Sequence, residues 1–419
     1  MKACAANFAY SKHTETNETD HLHMKSFTCI KYILLFSLLT QTVKSQPTTT
    51  SPSANSLDSF IQQTMRKTGI VGLGAAIIVD KKIVWTKGYG YADLENKHPF
   101  LTTTVMNLGS VAKNFTGVCL MKAVEEKKLS LDEDINRYLP FKVVNPYFPH
   151  AKITLRNLAT HSSGLADRNP FYGSTYLYGA GDHPEKLGDF LRNYFSPDGK
   201  YYSMENFLIH APGTYYQYSN IPAALAGYIV ECVTGKTLQE YGREIIFTPL
   251  QMEHTGWALA EIDQSRHTKL YEKKGDSLLH IPLYSFPTYP EGGVRSNVLA
   301  LAKYFACLLN EGEYKDLRIL SKASVREMQT FQFTVTNKPA NVNLAKLNSG
   351  IFWSTKLGAT RVGHNGSDPG VRVLMLSDLS KQIGVVLFIN TTLSDEGIPF
   401  EIYEELYKYG VELKKNNQK

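Results

Sequence analysis

Strand-like sequence lies at the two ends of this chain, and helical pattern fills the stretch between. Near the start, GLGAAIIVD, a charged Lys-Lys turn and IVWTKGYGYAD read as a β-hairpin. Near the end come GIFWST, TRVGHNG, VRVLMLSD and QIGVVLFINTT. Between them, apolar residues recur at helical spacing over Val111–Glu126, Thr154–Thr160, Pro222–Val233 and Leu238–Phe247. A short amphipathic helix is predicted at Leu57–Lys67, and another, Ile398–Leu413, closes the chain. EGGVRSN at Glu291–Asn297 predicts a turn, with Ser296 capping a helix through Leu309. The simplest assembly is a fold of the α/β (α+β) class. One antiparallel sheet is built from both termini and flanked by helices, with an all-helical lobe inserted over about residues 106–290. No internal repeat is present.

Composition narrows the partners. The 419 residues are 43% hydrophobic and 20% charged, enough for one large domain or two lobes. The net charge of +6 is spread thinly, with no Lys/Arg stripe interleaved with aromatics, so nucleic acid is excluded as the expected partner. Many of the 25 Tyr and 20 Phe fall between Pro170 and Tyr218, which implies a cleft or a large packed loop. Cys119, Cys232 and Cys307 sit in apolar helical patterns and read as buried thiols, not as a disulfide framework. No CxxC, HExxH or EF-hand pattern occurs, nor a Walker loop or a convincing GxGxxG unit, so neither metal nor other cofactor is expected.

The N-terminal stretch MKSFTCIKYILLFSLLTQTVKSQ starts at Met24. It has Lys25 and Lys31, an apolar run over Tyr32–Leu39, and a small-residue end at Val43-Lys44-Ser45. That is a secretory signal pattern, too short to span a bilayer comfortably, with a single membrane anchor as the alternative. Residues 1–23 read as an over-extended start. The expected order is a leader at 1–45, a flexible linker at 46–56 and a catalytic domain at 57–415. The mature protein is then extracytoplasmic, secreted or periplasmic, without a stable membrane span.

The chemistry-bearing residues begin at NLGSVAKNFTG, where Ser110 stands three residues before Lys113 at the start of a predicted helix. Alone, the pair reads as a helix cap and a surface lysine. One helical turn puts positions i and i+3 on one face, so Lys113 can also reach the Ser110 hydroxyl. A serine is a poor nucleophile unless a neighbour removes its proton, and a lysine is a base only if its pKa falls. Two further pieces follow: Tyr218-Ser219-Asn220, and His364-Asn365-Gly366 followed by Ser367. No GxSxG elbow is present, which disfavours an α/β-hydrolase.

SVAK, YSN and HNG, in that order, resemble the motifs of the serine β-lactamase and penicillin-binding-protein superfamily, in its class C-like branch. LATHSSGL, LQMEHTGW and EGGVRSN support the resemblance, which spans about Leu57 to Leu413. It implies a β-lactamase/transpeptidase-like fold and a secreted serine hydrolase that forms an acyl-enzyme on Ser110. The implied targets are amide or ester bonds in D-Ala-type peptides, other D-amino-acid peptides or small esters. A true class C-like β-lactamase and a non-catalytic binding or scaffold protein are the alternatives. By the same resemblance, Lys113 and Tyr218 are the candidate bases, Asn220 holds the substrate amide, and His364 lines the opposite wall on a strand that pairs with substrate. The backbone N–H groups of Ser110 and Ser367 form the oxyanion hole. Gly366 keeps that strand open for close approach.

Two departures stand out. Histidine at 364 replaces the lysine usual in class C β-lactamases, and Asn365 takes a place where threonine is common. A mostly neutral histidine attracts carboxylates weakly, so small aryl esters are expected to outperform penicillins and cephalosporins. Arg372 and Arg295 are the other cations in range, and both are expected to face solvent. N-glycosylation patterns fall at Asn114, Asn365 and Asn390, and a glycan on Asn365 would block the site. The partner class is a small-molecule or peptide substrate, and nothing in the sequence sets an oligomeric state.

Overall fold

The structure, a computed structural model, describes residues 54–416 apart from residue 276. The expected leader lies outside the described residues. The helix predicted from Leu57 begins at Ala54, inside the expected linker, and runs to Thr68.

A seven-stranded antiparallel sheet forms the frame. Its order is Ser354–Lys356, Arg361–Asp368, Val371–Asp378, Ile383–Ile389, Gly72–Val79, Lys82–Asp93 and His98–Pro99. The first and last strands of this sheet in chain order therefore meet inside it, with Ala76 opposite Val386. The early hairpin turns at Asp80 and Lys81, one residue before the expected Lys-Lys pair. Both adopt positive φ, which matches the right-handed twist of the flanking strands.

Gly72–Val79 is buried along its whole length, so alternate side chains feed two cores. Leu73, Ala75, Ile77 and Val79 pack with Ile61 and Met65 of the first helix and with Ile402 and Leu406 of the last, Ile398–Asn416. Ala76 and Ile78 face a larger core shared with helix Val298–Leu309 and the helical lobe. That lobe is not all-helical as expected, since Leu270–Lys274 and Ser277–Ile281 pair as a hairpin within residues 106–290; it is centred on helix Ala112–Glu125, which is buried nearly all round. Its Phe115 stacks on Tyr304 at 4.0 Å and meets Phe247 and Trp257 edge-on. Each such buried aromatic contributes about 2 kcal/mol of transfer free energy.

Local departures from the expected pattern have simple causes. Leu238–Phe247 is α-helical only to Gly242 and continues as a π-turn, Arg243–Phe247. GIFWST gives a strand only at Ser354–Lys356. The helix through Leu309 is capped by Asn297, whose side chain accepts from the Ala300 N–H at 2.9 Å. Ser296 instead pairs with Met106 in a short strand, and its hydroxyl meets that of Thr255. Cys119 and Cys307 are buried free thiols, while Cys232 is only half-buried. Among the described residues, no helix is long and apolar enough to cross a membrane.

Candidate active site

Three segments converge at the edge of the sheet. The short pairing of Met106–Asn107 with Arg295–Ser296 lays the chain before Ser110 against the segment that follows Glu291. Gly109 then turns the chain at φ +52, a conformation side chains disfavour. Ser110 sits on the single 3-10 turn Gly109–Val111 that runs into helix Ala112–Glu125. Gly366 packs flat on this turn: a Cβ there would lie 2.0 Å from the Leu108 carbonyl oxygen. That contact brings the strand Arg361–Asp368, with Ser367, alongside the Ser110 backbone. The edge strand Ser354–Lys356 pairs only as far as Gly363, so no strand covers the outer edge of residues 364–368 among the described residues.

The YSN segment is held by groups that the motif does not include. His161 Nδ1 accepts from the Ser219 N–H at 3.3 Å, and its ring packs 4.4 Å from that of Tyr218. Asp167 accepts from the N–H groups of Asn220 and Ile221, both at 2.7 Å. Burial raises the Asp167 pKa to about 6, although both backbone hydrogen bonds oppose that rise. Asp167 thus anchors the start of helix Ile221–Thr234, and Asn220 with it.

Lys113 is fully buried at the centre of the site. Its Nζ lies 2.7 Å from Asn220 Oδ1, 2.9 Å from Glu291 Oε2, 3.0 Å from the Glu291 carbonyl and 3.1 Å from Ser110 Oγ. An ammonium has three protons to give, so these acceptors saturate it. Burial opposes the charge, but Glu291 and the Tyr218 oxygen outweigh burial, and Lys113 titrates above an ordinary lysine. The condition for Lys113 to act as a base, a lowered pKa, is therefore opposed by the buried carboxylate that faces it. Glu291 also accepts a hydrogen bond from Tyr172, a member of the aromatic segment. The Tyr218 ring lies 5.0 Å from Lys113 Nζ. Burial raises the Tyr218 pKa, and the Lys113 charge pulls it back. Tyr218 is 39% exposed, so it opens to the cleft where Lys113 cannot.

The cavity beside Ser110 has a volume of about 430 Å³, and Tyr172, Tyr176, Tyr218, Asn220, Asn365 and Ser367 help to line it. His364 does not. Its ring is buried 6.5 Å from that of Tyr218, with Nδ1 2.8 Å from the Asn365 carbonyl. Burial and the charges of Lys356 and Lys113 push its pKa well below the usual histidine value, so the ring is neutral. Asn365 lines the cleft instead. At the far end, Asp368 accepts from Tyr176 at 3.0 Å, and its Oδ2 has no partner. Burial first, then Glu291, raises Asp368 to about 7.

The two arginines do not face solvent. Arg295 is 1% exposed and donates to the carbonyls of Trp257, Gly293 and Tyr284. Arg372 has a side chain 13% exposed and donates to the carbonyls of Asp368 and Val371. Neither lines the cavity. Asn114 and Asn390 are fully buried and bonded within the fold, Asn114 to Tyr304 and the Phe352 carbonyl. Of the three glycosylation patterns only Asn365 reaches the cleft. Among the described residues, no cluster of three or more His, Cys, Asp or Glu side chains could hold a metal ion.

Sequence reasoning missed Glu291, Asp167, His161 and Lys356 as parts of the site. Glu291 stood inside the noted EGGVRSN phrase, but only its burial against Lys113 distinguishes it from a turn carboxylate. Its replacement gives a test. Glu291→Gln keeps the size and a hydrogen bond but removes the charge, so only the Tyr218 oxygen still opposes burial at Lys113 and its pKa falls. Activity that depends on the ammonium is then lost at lower pH, and the alkaline limb of kcat/KM moves down by about one unit or more. A pH profile identical to that of the wild type would show that Glu291 does not set the Lys113 charge.

A family model described as Beta-lactamase matches residues 57–404. Protein flp of Staphylococcus aureus (strain N315) is 24% identical over 353 residues, covering 84% of this chain and 65% of the relative. The unguisins hydrolase ungD' of Aspergillus campestris (strain IBT 28561) is 27% identical over 362 residues, covering 82% of this chain and 64% of the relative. The chain thus spans slightly under two thirds of the length of these curated relatives. Among solved structures, the octameric penicillin-binding protein homologue from Pyrococcus abyssi superposes with a TM-score of 0.67 at 26% identity, covering 86% of this chain and 77% of the other. The D-amino acid amidase from Ochrobactrum anthropi SV3 gives 0.66 at 22% identity over 87% and 99% of the two chains, a likeness of fold.

Proposed function

Since the chain belongs to the beta-lactamase family, we propose that it is a serine hydrolase that forms an acyl-enzyme on Ser110 and cleaves an amide or ester. One observation carries the reading: Lys113 Nζ stands 3.1 Å from Ser110 Oγ while Glu291 holds its charge. A lysine used only as a surface charge would not be buried in such a network.

In this mechanism the ammonium of Lys113 does not take the serine proton, because its nitrogen is already fully protonated and has no lone pair to accept one. Tyr218, as its phenolate, takes that proton; burial holds its pKa above the ordinary tyrosine value, and the fixed positive charge beside it offsets part of that rise. Ser110 Oγ attacks the carbonyl carbon, and the negative charge on its oxygen is met by the backbone N–H groups of Ser110 and Ser367. Such donors are each worth on the order of 3 kcal/mol in the transition state. Tyr218 then returns the proton to the leaving group, and water attacks the ester on Ser110 with Tyr218 again as base. Asn220 orients the substrate amide, and the uncovered edge of residues 364–368 receives an extended substrate. Candidate substrates are D-Ala peptides, other D-amino-acid peptides and small esters. Export through the Met24–Ser45 signal pattern is part of the proposal.

A fluorophosphonate or a fluorescent penicillin is expected to label wild type on Ser110 and leave Ser110→Ala unlabelled. Absence of labelling together with absence of turnover on a panel of D-Ala peptides, esters and β-lactams would favour a non-catalytic binding protein.

A further inference from the structure

The cleft at Ser110 ends on a wall that belongs to the aromatic segment. The short helix Phe171–Ser174 contributes Tyr172 to the Ser110 cavity and Phe171 to a second cavity, of about 530 Å³. Among the described residues, Tyr176 is the one that lines both cavities, so it forms the partition between them. The wall is anchored from both sides. Tyr172 donates to Glu291, while the Phe171 ring lies 5.0 Å from that of Tyr201 and 6.2 Å from that of Phe190. The Tyr176 hydroxyl donates to Asp368 at 3.0 Å, and its ring lies 4.8 Å from that of Phe286 and 5.4 Å from that of Tyr284.

The second cavity suits an apolar occupant. Phe171, Leu177, Pro184, Phe190 and Pro287 help to line it, and its polar groups are engaged with one another or with the backbone. Glu185 accepts from Tyr201 at 3.1 Å and lies 3.4 Å from Lys200 Nζ, and His183 Nδ1 accepts from the Glu185 N–H at 3.2 Å. The hydroxyls of Ser174 and Thr175 donate to the carbonyls of Phe171 and Tyr172. The surface left to meet a ligand is aromatic and aliphatic, which favours an alkyl or aryl group over water. His183, Glu185 and Pro287 also line a further cavity of about 510 Å³, so the space behind Tyr176 continues. The Ser110 cavity, in contrast, stops at the Tyr176 ring.

We propose that Tyr176 is a specificity-determining residue that sets the length of the substrate group the Ser110 cavity accepts, an inference that rests on the hydrolase reading. A short group fits in front of the ring. A longer alkyl or aryl extension meets the ring, which packing on Phe286 and Tyr284 and the bond to Asp368 hold in place. Without the ring, the extension passes into the apolar cavity behind. No motif marks Tyr176, because FYGSTYLYG stands apart from SVAK, YSN and HNG.

Two pairs of esters test this. p-Nitrophenyl hexanoate against p-nitrophenyl acetate lengthens the acyl group, and 4-butylphenyl acetate against phenyl acetate lengthens the departing group. Wild type is expected to favour the shorter member of at least one pair in kcat/KM. In Tyr176→Ala the long-to-short ratio of that pair should rise about tenfold or more, and the pair that responds names the side of the scissile bond that faces Tyr176. Tyr176→Phe loses the bond to Asp368 but keeps the ring, so its ratio should stay within about threefold of wild type. Tyr176→Val, a milder truncation, is read in the same way if the alanine variant melts below the assay temperature. Unchanged ratios in the truncations, an equal rise in Tyr176→Phe, or a wild type that favours the longer member of both pairs overturns the proposal. If wild type cleaves none of the four esters, the hydrolase reading fails. Calorimetric binding of each pair to Ser110→Ala, with and without Tyr176→Ala, then decides the inference independently. A preference for a longer member that arises only with the truncation upholds it, and unchanged relative binding overturns it.

Discussion

Ser110→Ala is expected to reduce kcat by at least about 10³-fold while leaving the thermal unfolding midpoint within a few degrees of wild type. The attacking oxygen is the one atom the mechanism cannot replace. What survives is binding and the backbone oxyanion donors, which account for residual catalysis in enzymes of this kind of design. The fold should not notice the change. The turn around Ser110 is set by Gly109 at φ +52, by Gly366 packed on Leu108, and by the buried helix that follows. Loss of the hydroxyl removes one 3.1 Å contact of Lys113 and leaves it three acceptors for three protons. Steady-state kinetics on any turned-over ester, with circular dichroism melting, checks both halves. Wild-type kinetics in this variant would end the acyl-enzyme mechanism.

Lys113→Ala carries the second large effect, and it strikes stability as well as activity. Removing the lysine strands Glu291, which is 2% exposed, without its counter-charge. Breaking one side of a buried ion pair typically costs about 3–5 kcal/mol. Pairing the change with Glu291→Gln should recover much of the stability and none of the activity, since a neutral pair no longer leaves a buried charge. Activity should fall by about 10²–10⁴-fold in Lys113→Ala and similarly in Tyr218→Phe, with the double variant little worse than either. The reason is that Lys113 acts on the reaction through the Tyr218 oxygen, so removing both deletes one function rather than two. Full additivity of the two losses would mean that Lys113 and Tyr218 work separately, and Tyr218 would no longer be the proton carrier that Lys113 supports.

Where the sequence was legible, the signal was local and periodic. The hairpin pattern around GLGAAIIVD and the strand-like run QIGVVLFINTT predicted the sheet, and the structure pairs them directly. Helical spacing located the helix after Ser110 and the one after Asn220 to within a residue or two. The three motifs also lie together, with Ser110, Lys113, Tyr218 and Asn220 in one bonded cluster and Asn365 and Ser367 on the facing wall. Charge placement was not legible. Arg295 and Arg372 look like surface residues in sequence, yet each is spent on backbone carbonyls. Lys356 and Glu291 look like turn residues, yet one lines the cleft and the other sets the charge state of Lys113. A side chain's charge is local information, but its dielectric surroundings and its counterion come from segments a hundred or more residues away. The Ser296 and Asn297 exchange shows the same limit at short range: both can cap a helix, and a pairing with distant Met106 decides which does.

The joining of Gly72–Val79 to Ile383–Ile389 has a consequence for how the molecule comes into being. These neighbours are separated by most of the chain, so their pairing closes a very long loop before it is rewarded. During synthesis the early hairpin must wait, with one apolar edge open, until the ribosome has delivered residues beyond 389. The helical lobe, whose contacts are nearer in sequence, is available to condense first. A nascent chain stalled before residue 383 would display an unpaired, wholly apolar strand edge, the feature that holdase chaperones bind and that drives aggregation.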